Sequence, residues 1–218
     1  MSRKQITEPS LPDILQNFRL DILSNFNCHR IGIIQGFDEE NQTVQVEMVD
    51  YRVFQTYESE NPQYKKYSLL ADVPVHINAD DNAGFTNPIA VGQECLVLFN
   101  DRDLDNWFTA GTTGAPRTNR MHDLSDGLAI IGFHSQLKKL TNFINNATRM
   151  YYGESEITLT DKIKIQNAAE NLKTIIDDLI DIITNLKTVN GMSEYPIDST
   201  TSTNLADLKI RIATFLTT

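Results

Sequence analysis

Leu172, Ile176, Leu179, Ile183 and Leu186 follow a 4-3-4-3 spacing, the clearest periodic signal in the chain. Apolar residues spaced in this way fall along one side of a helix and form the seam of a coiled coil. Ile175 and Ile182 flank the seam and widen it, which favours a bundle over a simple two-stranded coil. Leu205, Leu208, Ile212 and Phe215 carry the three-and-four spacing into a last helix, across a connecting loop at 189–203 rich in Gly, Ser, Thr and Pro. The segment 167–218 therefore reads as a helical hairpin, and one hairpin buries little apolar surface by itself. Association with copies of itself, or with another protein, would hide that surface. The residues of the two stripes are the expected oligomerisation residues.

The texture upstream is different. Residues 11–26 read as a helix, with Ser10 as its cap, Pro12 in its first turn, and Leu11, Leu15, Phe18, Ile22 and Phe26 at spacings of three and four. That stripe is expected to pack on a barrel or on a neighbouring subunit. From Arg30 to Phe133 short β segments predominate. Ile31 and Ile33 lead to Gly36-Phe37, and Asp38-Glu39-Glu40-Asn41 supplies a polar turn. Thr43 to Val49 then alternates, with Val44, Val46 and Met48 on one face.

Residues 55–68 read as a polar loop containing Pro62, and 78–92 as a second loop-rich stretch. Between them Val73 to Ile77 predicts a third strand, at an edge because Pro74 has no N–H to donate to a ladder. Cys95 to Phe99 is a continuous apolar run, expected of a strand buried on both faces. Trp107 to Gly111 predicts a fifth strand and Ala129 to Phe133 closes the section. Five or six short strands separated by turns suggest a small barrel of the OB type. Residues 135–150 read as helical. Ile157, Leu159, Ile163 and Ile165 alternate with polar residues about a Thr160-Asp161 turn, as a short hairpin or a turn of an intertwined sheet.

The predicted fold class is thus α+β in four parts. A helical arm at 1–27 precedes an antiparallel OB-type barrel at 28–133. A linker helix and short β segment at 134–166 lead to the oligomerising hairpin or coiled-coil bundle at 167–218.

Composition narrows the partners. A formal charge of -10, from 19 Lys and Arg against 29 Asp and Glu, opposes binding to duplex nucleic acid or anionic membrane, since phosphate contacts depend on basic residues. The polar Met1 to Pro9 stretch is followed by no apolar h-region, and no stretch approaches a membrane span, so a soluble chain made inside the cell is expected. Cys28 and Cys95 lie far apart without metal-ligand spacing and are expected as buried free thiols, with a disulfide as the alternative.

The search for chemistry leaves four candidates. His122-Asp123 with Asp126 has the residue types of metal-dependent hydrolysis, but no further histidines stand at ligand spacing, so a turn or cap is the simpler reading. Asp80-Asp81-Asn82-Ala83-Gly84 is similar to a calcium loop. Placing Gly84 sixth puts Ala79 in the first ligand position and Ala90 where the closing glutamate belongs, which favours a solvated turn. Tyr57, Tyr64 and Tyr67, with Lys65 and Lys66, have the composition of a base-stacking loop, against which stands the net charge. Asp101 to Trp107 mixes charges and ends in the single tryptophan, expected to pack under the barrel. No catalytic, cofactor-binding or metal residues are assigned, and the expectation is a protein that is not an enzyme.

Taken in order, several segments resemble the N-terminal OB domain of phage membrane-piercing central spikes, trimeric proteins on the axis of a contractile-tail baseplate. The likeness begins at Arg30-Ile31-Gly32-Ile33-Ile34 with Phe37-Asp38, and continues through Gln42-Thr43-Val44-Gln45-Val46. It resumes at Asp72-Val73-Pro74-Val75 and at Val91-Gly92-Gln93-Glu94-Cys95-Leu96-Val97-Leu98-Phe99. Arg102-Asp103-Leu104-Asp105-Asn106-Trp107 and His122 to Ala129 complete it.

The resemblance implies a homotrimer whose OB collar docks on a tail hub protein; no cofactor is expected, and the net charge opposes a nucleic-acid partner. It places the chain in the virion baseplate after assembly in the host cytoplasm, with membrane contact only during injection. It also makes His122 to Asp126 a structural turn. The C-terminal half departs from the family, whose better-known members continue into a long intertwined β-helix with a tapered tip closed by an iron site of His-x-His type. Here only 154–166 suits such a β segment, no His-x-His occurs, and helices follow. The expectation is a spike or spike-base subunit that leaves the tip to a separate protein. The trimer rests on the resemblance, since Ile at the a positions with Leu at d more often favours two strands. A single-stranded nucleic-acid binder, an adaptor off the baseplate axis and a tail-associated hydrolase are the alternatives.

Overall fold

The structure, a computed structural model, describes residues 10–54, 63–190 and 193–216. The chain divides into two compact units, with the boundary between Lys139 and Leu140.

The first unit opens with α1 (Leu11–Asn25). Ser10 and Asp13 form a reciprocal capping box: the Ser10 hydroxyl accepts from the Asp13 amide and the Asp13 carboxylate accepts from the Ser10 amide at 3.1 Å. Pro12 sits in the first turn, where its missing N–H costs nothing. The strands that follow are β1 (His29–Asp38), β2 (Thr43–Met48), β3 (Tyr51–Phe54), β4 (Gln63–Lys66) and β5 (Leu70–Pro74). After them come β6 (Asn78–Ala79), β7 (Gly84–Phe85), β8 (Glu94–Phe99), helix α2 (Asp105–Ala110) and β9 (Gly127–Phe133).

Five of these strands make one antiparallel sheet in the order β5-β2-β1-β8-β9. The sheet curls into a half-barrel. Its outer strands approach each other where Val75 bridges Ala129 in parallel and the His76 amide donates to the Ala129 carbonyl at 2.8 Å. A register shift between Ile34 and Gly36 marks a bulge in β1, a device that bends a strand. The concave side holds the core, formed by Ile34, Val44, Val46, Met48, Leu70, Val73, Cys95, Val97, Phe99 and Ala129. Burial pushes the Cys95 thiol up to about 11. Gly32 is required at its place in β1, because a Cβ there would run into Val46 Cγ1, in the middle of this core.

Several sequence expectations are corrected in this unit. Trp107 to Gly111 does not form a strand: Asp105–Ala110 is helix α2. Trp, Phe and Thr favour strands, but local bonds override that preference. The Asp103 carboxylate takes the Asp105 amide at the helix start, and Gly111, at φ 61°, closes the end by donating to the Trp107 carbonyl. Trp107 is 51% exposed, so it does not pack under the sheet. The run Cys95 to Phe99 is buried on one face only, since Leu98 points to solvent. Cys28 is exposed. The supposed loop 55–68 contains β4, which pairs with β3, and the one at 78–92 contains the short β6–β7 pair. Within 135–150 no long helix forms. A single 3₁₀ turn at Gln136–Lys138 is pinned to the start of β8, where the Ser135 hydroxyl donates to Glu94 at 2.8 Å and Lys138 Nζ to the Gly92 carbonyl at 2.7 Å.

The second unit contains β10 (Thr148–Tyr152), β11 (Ser155–Leu159) and β12 (Ile163–Gln166), paired as an antiparallel sheet. Helix α3 (Leu172–Thr184) follows, then the hairpin β13 (Lys187–Asn190) and β14 (Ser193–Pro196), then α4 (Ser199–Phe215). The alternation at Ile157, Leu159, Ile163 and Ile165 thus builds β11 and β12 as expected, with β10 as an unforeseen third strand. Asn171 caps α3 by accepting from the Lys173 amide at 2.8 Å. Asp198 caps α4 by accepting from the Thr201 amide at 3.0 Å. That cap starts α4 inside the stretch read as a loop at 189–203, and the β13–β14 pair occupies the rest. Among the described residues no helix is long and apolar enough to cross a membrane.

Candidate functional site

The most tightly bound polar cluster lies in the first unit, where the segment after β8 returns to β9. Asp126 is buried, at 1% exposure, and its carboxylate faces Arg120 two-pronged, with Nη2 at 2.9 Å and Nε at 3.1 Å. It also accepts from the Leu104 amide at 3.1 Å. Arg120 Nη2 reaches Asp105 at 3.0 Å and lies 3.4 Å from Asp103. Hydrogen bonds from the Thr118 hydroxyl, at 2.6 Å, and the Asp105 amide, with Arg120 beside it, hold the Asp103 carboxyl below its ordinary value. The bonds to Asp126 and Asp105 raise the Arg120 guanidinium in turn.

Asp103, Asp105 and Asp126 have oxygens within 4.8 Å of one another, a spacing that suits a divalent cation. The guanidinium already hydrogen-bonds Asp105 and Asp126 and ion-pairs with Asp103. The cluster works as a tie that fastens α2 and the chain around Thr118 to the end of the sheet.

The other sequence candidates resolve into local structure. His122 takes φ 49° and stacks on Phe26 with ring centroids 3.8 Å apart, while its carbonyl accepts from Asn27 at 2.9 Å. Asp123 turns instead to Ser125, whose amide donates to it at 2.9 Å. His122, Asp123 and Asp126 therefore serve three different contacts of one turn. Asp80 accepts from the Asn82 and Ala83 amides at 2.7 and 2.9 Å and shapes the β6–β7 turn. In the tyrosine-lysine loop, Tyr67 lies under the Arg30 guanidinium, 4.5 Å from its ring centroid, and Lys66 pairs with Glu47 at 2.8 Å. Tyr64 is exposed, and Tyr57 lies outside the described residues.

The helical residues expected at a self-association seam divide into two sets. Leu172, Ile176 and Ile183 are half-buried within the chain, on the face of α3 that also carries buried Ile180. Helix α3 packs beside α4 and β12, and Lys209 of α4 bonds both carboxylate oxygens of Asp181 at 2.8 Å. Leu179 and Leu186 are exposed, and Leu186 lies beyond the end of α3. With Ile175 and Ile182 they form a second stripe, 175-179-182-186, that points to solvent. In α4, Leu205 and Ile212 are half-buried, Leu208 is exposed, and Phe215 is the last helical residue. Ile180 and Leu216, both buried, were missed. Ile180 stands one residue after Leu179, and a spacing of 172-176-180-183 fits a straight helix of 3.6 residues per turn as well as the heptad does.

The described residues thus present a curled sheet, an ion-paired tie and exposed apolar stripes. Residues 31–132, running from β1 into β9, match the family model described as phage protein Gp138 N-terminal domain. No curated protein shows a significant match to the chain. The family match supports a phage structural protein, a component of the virion.

Proposed function

We propose that the chain is a non-enzymatic, trimeric subunit at the base of the central spike in a contractile phage tail or related injection system. The curled sheet of the first unit would be an OB-type collar docked on the tail hub. The second unit would join three chains along the tail axis and receive a separate tip protein. The observation that carries this reading is the match of residues 31–132 to a phage N-terminal domain, followed by a unit with much of its apolar surface outward. The ion-paired tie at Arg120 fits a mechanical role, since it fixes a long surface segment to the sheet.

Electron microscopy of intact particles labelled with an antibody to the chain tests the proposal. Label on the baseplate axis is expected. Label off the axis would favour an adaptor, and particles that lack the chain would overturn the proposal.

A further inference from the structure

Phe37, Ile77, Phe85, Pro88, Ile89 and Ile131 line a half-open cleft of about 830 Å³ in the first unit, between the β1–β2 turn and the β6–β7 hairpin. Its floor is the outer end of the core. Phe37, Ile89 and Ile131 pack against the buried cluster and are themselves only half-buried. Phe85, from the hairpin, is 60% exposed.

One wall of the cleft is a strand edge. Along one side β9 pairs with β8; along the other it meets Val75 and His76, both at Ala129. Successive residues of a strand turn their backbone groups to opposite sides. Ile131, two residues beyond Ala129, therefore presents its amide and carbonyl on the side where Ala129 receives His76. No strand pairs with it there among the described residues. An edge of this kind accepts an extended chain as a further strand.

The charges around the cleft have one sign. Glu39 lines it, with Asp38 and Glu40 beside it in the β1–β2 turn. Asp80 and Asp81 form the tip of the β6–β7 hairpin, whose Asn78 and Phe85 also line the cleft. The lining contains no Lys or Arg. Among the described residues none of these five acids is in an ion pair. Asp38 and Asp80 instead take amide groups of their own turns.

Apolar floor, strand edge and acidic rim together select an occupant with extended backbone, apolar side chains and positive charge. A second copy of the chain, at a formal charge of -10, is disfavoured at this rim. We propose that the cleft docks an extended basic segment of a different protein. Its apolar side chains cover the floor, its backbone pairs with β9 at Ile131, and its Lys or Arg residues meet the acidic turns. The proposal goes beyond the spike-base reading and does not depend on it.

Fluorescence anisotropy with short labelled peptides tests the proposal on the full-length chain. A peptide of alternating lysine and valine should bind, and one of alternating glutamate and valine should not. Glu39→Lys should weaken binding about tenfold. Asp207→Lys, the same change of charge at an exposed site in the second unit, should alter it by less than about twofold. Phe85→Ser should also cost about tenfold, while Phe85→Leu, which keeps an apolar contact, should retain binding. Failure of the lysine-valine peptide to bind would overturn the proposal. Equal weakening by Glu39→Lys and Asp207→Lys would overturn it too, since the peptide would then respond to net charge alone. Full-strength binding to Phe85→Ser removes the cleft from the interaction and contradicts the proposal in the same way. Labelling of particles reports on the spike-base reading independently of these results.

Discussion

Gly32 shows how one residue type is dictated by its surroundings. It pairs with Met48 on one side and Cys95 on the other, at the centre of the curled sheet, and Val46 Cγ1 occupies the space a Cβ would need. Val46 has no exposed surface, so it has nowhere to move. Gly32→Ala should destabilise the first unit by roughly 1–3 kcal/mol, the usual cost of overpacking a filled core, measured by urea denaturation. An unchanged midpoint would show that β1 and β2 can separate. This constraint was invisible in the sequence, where Gly32 merely interrupts Ile31 and Ile33. The alternation of Val44, Val46 and Met48 in β2, by contrast, was legible because one face of that strand is buried and period two is all that burial requires.

At the scale of elements, the tie around Arg120 makes a prediction about acid. Asp103 and Glu156 both titrate below their ordinary values of 3.8 and 4.5, held chiefly by Thr118 and by Arg149 respectively. A carboxyl depressed in the folded state contributes its stability in full above its ordinary value and loses it as pH falls through the folded-state value. The unfolding midpoint should therefore be lower at pH 3 than at pH 7. Thr118→Val, which removes the largest cause at Asp103, should narrow that difference. A midpoint that rises on acidification would contradict the assignment.

The legibility of elements follows the range of the forces that make them. Helix α1 was readable because Ser10, Pro12 and the apolar spacing are all local. Helix α2 was misread because side-chain bonds from Asp103 and a left-handed Gly111 outweigh the strand preference of Trp107 and Phe108. Helix α4 begins earlier than its apolar spacing suggests because Asp198 caps a Ser- and Thr-rich turn of low intrinsic helix preference. The seam of α3 was read from a heptad that two faces of the helix share, so Leu172, Ile176 and Ile183 are half-buried within the chain while Leu179 and Leu186 are exposed. The Arg120 tie had no signal in the sequence, since its members, Asp103, Asp105, Arg120 and Asp126, meet only once α2 folds back on the sheet.

At the scale of the molecule, the two units divide the work. The first has a closed core and matches a phage N-terminal domain over residues 31–132. The second turns apolar sheet and helix residues to solvent and pairs Arg149 with Glu156 and Lys209 with Asp181. Native mass spectrometry of the purified protein tests the proposed trimer most directly. The account predicts a species of three times the 24.7 kDa chain mass, maintained on dilution. A monomer at micromolar concentration would contradict it.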